Sequence, residues 1–149
     1  MSERAKIVFE LSNDELPYAT ESVWAERLSD NRFRILNSPF FKFGVSYEDE
    51  VEAEPDGAVF RFIKVVHHSG RSTYRVILQG GLTIRDDEFI DRWKAFQMAG
   101  CTYESVNEKY ISIDIPANSD VVVLYTLLED GETAGVWVFE EGYFAGSPG

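Results

Sequence analysis

Between Val23 and Val66 the chain reads VWAERLSDNRFRILNSPFFKFGVSYEDEVEAEPDGAVFRFIKV, and no other segment crowds aromatic residues, turn formers and alternating charge so densely. Turn clusters at this spacing predict short strands joined by tight turns. Ser22 to Leu28 alternates imperfectly, Ser29-Asp30-Asn31 is a turn cluster, and Arg32 to Leu36 sets Phe33 and Ile35 against Arg32 and Arg34, so the pair predicts a hairpin. Asn37-Ser38-Pro39 ends that strand, because proline fixes its own φ and restricts the residue before it. Phe40, Phe41 and Phe43 follow, with Gly44 behind them. Three aromatic side chains beside a chain break either fill a core or, with Trp24, line a pocket.

Glu48 to Glu54 alternates Asp49, Val51 and Ala53 with Glu48, Glu50, Glu52 and Glu54, which predicts a strand with one acidic, solvated face that blunts a sheet edge. Pro55-Asp56-Gly57 then turns the chain. The return strand, Ala58 to His67, places Val59, Arg61, Ile63, Val65 and His67 on one face, with Phe60, Phe62, Lys64, Val66 and His68 on the other. Upstream, Lys6 to Leu11 reads as a first strand, and Asn13 to Glu21, with its proline, reads as a loop. These five or six strands, the last being Ser72 to Gln79, suggest a small, partly open barrel.

After Gly80-Gly81 the hydrophobic period changes from two to that of a helix. Thr83, with Asp86 three residues on, resembles a capping box. Phe89, Ile90, Trp93 and Phe96 form one helical stripe, and Gly100 suits the C-terminal cap. Cys101 to Asn107 and Lys109 to Ile115 form two further strands. Asn118 or Ser119 caps a second helix with the stripe Val121, Leu124, Tyr125 and Leu128, which Gly131 ends, and Val136 to Glu141 is the last strand. The tail AGSPG reads as frayed.

The fold class expected is therefore α+β. A strand-rich, barrel-like subdomain at 1–73 packs on a ferredoxin-like β-α-β-β-α-β half at 74–149, the two forming one compact unit. The strand from Ser72 to Gln79 is placed to serve both halves.

Composition narrows the function classes. The net charge is −12, and it is uneven: residues 1–75 hold 13 acidic and 10 basic side chains, residues 76–149 hold 13 and 4. Such a field repels phosphate backbones, disfavours nucleic acid and favours encounter with a basic protein partner; acidic surfaces also simply oppose aggregation. Arg32, Arg34, Lys42, Arg61 and Lys64 lie near aromatic residues, as in single-strand binders, but ion pairing with the Glu strand is the simpler reading. One cysteine, Cys101, allows no internal disulfide and fits a reducing, cytoplasmic setting. No membrane segment is expected.

Several stretches carry a family resemblance: Trp24–Leu28 (WAERL), Asn37–Glu54 (NSPFFKFGVSYEDEVEAE), His68–Val76 (HSGRSTYRV) and Ile113–Pro116 (IDIP). Together they resemble the bacterial domain-of-unknown-function family 4265, over residues 5–143. The family pattern has a Gly-Asp pair after the tyrosine, where this chain has Glu48-Asp49. The resemblance implies a fold-sized unit in a bacterial setting, and no catalytic residues.

Chemistry is sparse in the residues themselves. His67 and His68 are adjacent on a strand, so they face opposite ways and cannot share one metal; no metal or other cofactor is expected. Cys101 follows a helix C-terminus, whose negative end raises a thiol pKa, so it reads as buried and inert. Alternate carboxylates on the Glu strand sit about 7 Å apart, a spacing open to acid/base work but commoner on a solvated face. No catalytic set emerges.

The expected function is a non-enzymatic, acidic protein-binding module, of the immunity type that occludes a basic toxin domain. Its candidate contact residues are Glu48, Asp49, Glu50, Glu52, Glu54, Asp86, Asp87, Glu129, Asp130 and Glu132. The alternative is a small-molecule-binding regulatory domain, with its pocket at Trp24, Phe40, Phe41 and Phe43.

Overall fold

Strictly alternating burial along the first strands closes them on one another. The computed structural model of the chain describes residues 3–12, 15 and 19–145. Five strands, β1 (Arg4–Glu10), β2 (Thr20–Ser29), β3 (Arg32–Ile35), β4 (Glu50–Asp56) and β5 (Val59–His67), form a closed barrel in that order. Neighbours are antiparallel, and a parallel pairing of Ile7 with Phe60 and Val8 with Arg61 closes the ring. Ala5, Ile7, Phe9, Val23, Ala25, Phe33, Ile35, Val51 and Ala53 fill its interior.

Closure corrects the partly open barrel, and it changes the Glu strand. β4 pairs with both β3 and β5, so it is not an edge. It begins at Glu50 and runs through Pro55, leaving Gly57, at φ 64°, to turn the hairpin. The expected two faces of β5 hold only as far as Phe62. Its register against β4 skips Ile63 and Val66, and these two bulges turn Val65 inward and leave Ile63 exposed.

The second half holds a four-stranded antiparallel sheet and two helices. In chain order these are β6 (Ser72–Leu78), α1 (Asp87–Met98), β7 (Thr102–Ser105), β8 (Tyr110–Ile115), α2 (Val121–Thr133) and β9 (Trp137–Tyr143); the strands lie in the order β7-β8-β6-β9. Alternate residues Tyr74, Val76 and Leu78, with Ile111, Ile113 and Ile115, meet Phe89, Phe96, Leu124 and Leu128 in one core. Both helices therefore cover the same face of the sheet. Among the described residues the backbone of β6 pairs only within this sheet, which corrects its expected place as a strand of both halves.

Three helix boundaries also differ. Asp86, rather than Thr83, precedes α1, and its carboxylate accepts the Thr83 amide at 2.7 Å. Asp120, rather than Asn118 or Ser119, caps α2 by accepting the Val123 amide at 3.2 Å. Gly131 lies inside α2 and does not end it. A Cβ there would sit 2.3 Å from the Trp137 ring, whose indole N–H donates to the Leu128 carbonyl at 2.8 Å. Most of the Asn13–Glu21 loop and the final four residues lie outside the described residues, whereas Thr20 and Glu21 belong to β2.

Candidate functional site

The chain from Asn37 to Gly44 leaves β3 and crosses the back of the second sheet. Its amides point one way and its carbonyls another. Glu21, on β2, accepts the amides of Phe40 at 2.5 Å, Phe41 at 3.0 Å and Lys42 at 2.9 Å, and Glu15 accepts that of Phe43 at 2.5 Å. Burial opposes ionisation of Glu15, but its amide partners and Lys42 prevail and hold its pKa below the ordinary value. From the other side Arg75, on β6 and almost fully buried, donates to the carbonyls of Pro39, Phe41 and Lys42 and lies over the Phe43 ring at 5.3 Å. Burying a guanidinium is costly unless its donors are met, and here backbone carbonyls meet most of them.

Two more clusters bind the halves. Asp49 is 0% exposed; it accepts the Ser46 and Ser69 amides, each at 2.9 Å, and meets His68 Nδ1 at 3.1 Å. His68 has left the strand and, though exposed, stacks on Tyr143 at 4.3 Å. Arg71 reaches Asp114 at 2.5 Å and Glu48 at 2.9 Å. Glu48 stands at φ 67°, the conformation that favours glycine, at the position where the family resemblance implies glycine. Asp114 lines a cleft of about 260 Å³ between the halves with Leu36, Ser38, Tyr47, Thr102, Tyr103 and Glu104. Burial pushes its pKa up to about 6 against the pull of Arg71, and its Oδ1 has no hydrogen-bond partner among the described residues.

These contacts correct the expected acidic surface on β4. Asp49 is an internal bracket and cannot face a partner. Glu50, Glu52 and Glu54 are half-buried and lie opposite bases: Glu50 between Arg34 and His67, Glu52 between Arg32 and Lys64, and Glu54 opposite Arg61, with which it is ion-paired. The expected aromatic pocket does not assemble either. Phe40 and Phe41 meet the Tyr110 ring edge-on at 5.9 and 5.8 Å, Phe43 lies under Arg75, and Trp24 is 45% exposed beneath Lys6. Cys101 is buried as expected, its thiol pushed up to about 12 by burial and then by Asp114.

The remaining candidates are surface groups. Asp86 and Asp87 are exposed at the start of α1, and Glu129, Asp130 and Glu132 are exposed on α2; among the described residues none of these five is in an ion pair. Glu129 alone of them joins a groove. With Tyr74, Val122, Tyr125, Thr126, Glu141 and Phe144 it lines a hollow of about 380 Å³ between α2 and β9. Val122, Tyr125, Thr126 and Glu129 recur at helical spacing on the side of α2 away from Leu124 and Leu128. Tyr125, expected in the core stripe, is therefore partly exposed. Glu141 accepts the Tyr74 hydroxyl at 2.9 Å, and burial followed by this bond drives the Tyr74 pKa upward. Neither Glu141 nor Phe144 stood out from sequence. The available signal was charge: from Tyr110 to Gly149 there is no Lys, Arg or His.

The model for the family described as "Domain of unknown function (DUF4265)" matches residues 21–139, most of the chain. The chain belongs to that family. As a DUF4265 protein it also shares a fold with the crystal structure of a hypothetical protein from Neisseria gonorrhoeae, at 20% identity and a TM-score of 0.81 over 97% of this chain and 98% of that one. No curated protein matches its sequence. Among the described residues no helix is long and apolar enough to cross a membrane, and no group of three or more His, Cys, Asp or Glu side chains is placed to hold a metal ion.

Proposed function

We propose that this protein is an acidic protein-binding module whose contact surface is the groove between α2 and β9. The observation that carries the reading is the make-up of that face. Exposed Val122, Tyr125 and Phe144 line it with Glu129 and Glu141, Asp130 and Glu132 lie further round the exposed surface of α2, and α2 and β9 contain no basic residue. An apolar centre with a charged rim is the anatomy of a protein interface, and an unrelieved negative rim selects a basic partner.

The fold gains nothing from two of these charges. Asp130 and Glu132 stand in the last turn of α2, against the negative end of its dipole, with no basic residue there. Each such carboxylate costs about 0.3–1 kcal/mol. A local rule broken without local compensation points to function. The immunity-type role, occlusion of a basic toxin domain in the bacterial cytoplasm, is the form of this reading that the charge and the single unpaired cysteine support. The strand order β9-β6-β8-β7, with one helix after β6 and one after β8, likewise supports reading residues 74–149 as a ferredoxin-like unit.

The test is Glu132→Lys, made alone and with Glu129→Lys. The variants unfold at a higher temperature than the parent, yet bind basic peptides selected on the parent from a displayed library at least tenfold more weakly. Unchanged affinity removes this face from the interface.

A second reading, a small-molecule-binding regulatory domain, draws on the cleft between the halves, with the unsatisfied Oδ1 of Asp114 at its wall. Thermal-shift screening against metabolites checks it, and a flat response across the library removes it.

A further inference from the structure

β9 lies at the rim of its sheet. Among the described residues it pairs only with β6, and its other long edge faces outward. An open edge seven residues long is a template for another strand, and proteins usually blunt such edges with lysine, proline or a covering segment. β9 (WVFEEGY) has neither lysine nor proline; a register shift at Gly142 confines its regular edge to Trp137–Glu141, where Glu140 and Glu141 are the charges an added strand must match. Its only cover in the described structure is at its end, where the Gly142 carbonyl accepts the Gly44 amide at 2.9 Å. The opposite edge, β7, is only four residues long.

The groove described above runs along the helix side of this same edge. Glu141 faces it, whereas Glu140 reaches Arg75 on the back of the sheet at 3.5 Å and has exposed Val138 and Ile77 as neighbours there. A strand laid beside Trp137–Glu141 would therefore send alternate side chains to two different surfaces. Those on the helix side would meet Val122, Tyr125 and Phe144, with Glu129 and Glu141 close by.

We infer that β9 accepts an extended segment of the partner as an added strand. The inference rests on the reading of the α2–β9 face as the contact surface and names its binding mode. The segment recognised is strand-forming, with an apolar residue followed two positions later by Lys or Arg on the groove side, these side chains about 7 Å apart. Backbone hydrogen bonds to the edge supply affinity, and the groove supplies selectivity. A second copy of this chain is the poorer occupant, because two chains of net charge −12 repel and neither offers a basic residue on α2 or β9.

The experiment uses a phage-displayed library of random dodecapeptides selected on the 149-residue chain. Enriched peptides are remade with alternate backbone amides N-methylated, and bound samples are followed by amide hydrogen exchange. Strand addition predicts basic residues recurring with period two, at least tenfold weaker binding after N-methylation, and new protection at residues 138–141. Binders of helical period, or binders indifferent to N-methylation, that still respond to Glu129→Lys overturn strand addition and leave the contact face standing. Selection of no peptides, or only of peptides indifferent to Glu129→Lys, overturns both.

Discussion

Glu21 and Arg75 hold opposite sides of one loop: the carboxylate takes the amides of Phe40, Phe41 and Lys42, and the guanidinium takes the carbonyls of Pro39, Phe41 and Lys42. One residue belongs to the barrel and the other to the sheet, so the loop is the clasp between the halves. A run that reads as three aromatics after a proline is fixed chiefly by its backbone.

Replacing Arg75 by Leu strands several buried carbonyls and leaves a void over Phe43. Hydrogen bonds to charged groups contribute roughly 1.5–3 kcal/mol each, and these act as a unit. Arg75→Leu is predicted to destabilise the protein by about 3 kcal/mol or more in urea unfolding, with Arg75→Lys intermediate. A loss under about 1 kcal/mol would mean that the clasp matters little.

Gly131 distinguishes a packing site from a helix terminus by the sign of one substitution. On an open helix surface Gly→Ala stabilises by up to about 1 kcal/mol. Here the added methyl overlaps the Trp137 ring, so Gly131→Ala is predicted to destabilise by about 1–3 kcal/mol and to perturb the Trp137 indole resonance. A gain in stability contradicts the observed packing.

Glu48 combines a left-handed backbone with an ion pair to Arg71. Glu48→Ala removes the pair and keeps the strain, whereas Glu48→Gly removes both. Glu48→Gly is predicted to be more stable than Glu48→Ala by about 1–2 kcal/mol, measured by thermal or urea unfolding. Equal stabilities would show that the turn relaxes to a different conformation.

Asp114 makes a prediction in pH. Its pKa in the fold, about 6, lies above its ordinary 3.8, because burial outweighs Arg71, with Glu48 and Glu104 adding to the rise. The native state therefore binds more protons than the unfolded chain between those values, and stability falls as pH rises through them. The penalty is full above about pH 6 and is lost as pH falls toward 3.8. The stability of the parent relative to Asp114→Asn should grow as pH is lowered from 7 to 4.5, read from urea unfolding at each pH. A flat difference contradicts a raised pKa.

Much of this architecture is legible in the residues, and the failures have physical causes. The inward alternation of Phe33 with Ile35 and of Val51 with Ala53 holds because nearest-neighbour patterning decides which face of a strand is buried. The bulges at Ile63 and Val66 are hard to read, since both are β-branched residues that suit a regular strand equally well. Asp49 alternates with Val51 and Ala53, and its inward position was visible; its partners His68 and Ser69 lie about twenty residues away and were not. Gly131 looked like a stop because only the fold brings Trp137 against it. Of the acidic candidates, those on α2 lie on open surface, whereas those on β4 are half-buried and set opposite bases on neighbouring strands. Charge counts do not distinguish the two sets, because pairing across strands depends on register.

The central claim is that recognition takes place on α2 and β9 and not on the barrel. Amide hydrogen exchange of the chain, alone and saturated with the tightest-binding basic peptide selected on it, tests this directly. The account predicts added protection across residues 121–133 and 137–141, with the barrel strands at 50–56 and 59–67 unchanged. Protection that instead falls on the barrel, or on the cleft between the halves, contradicts it.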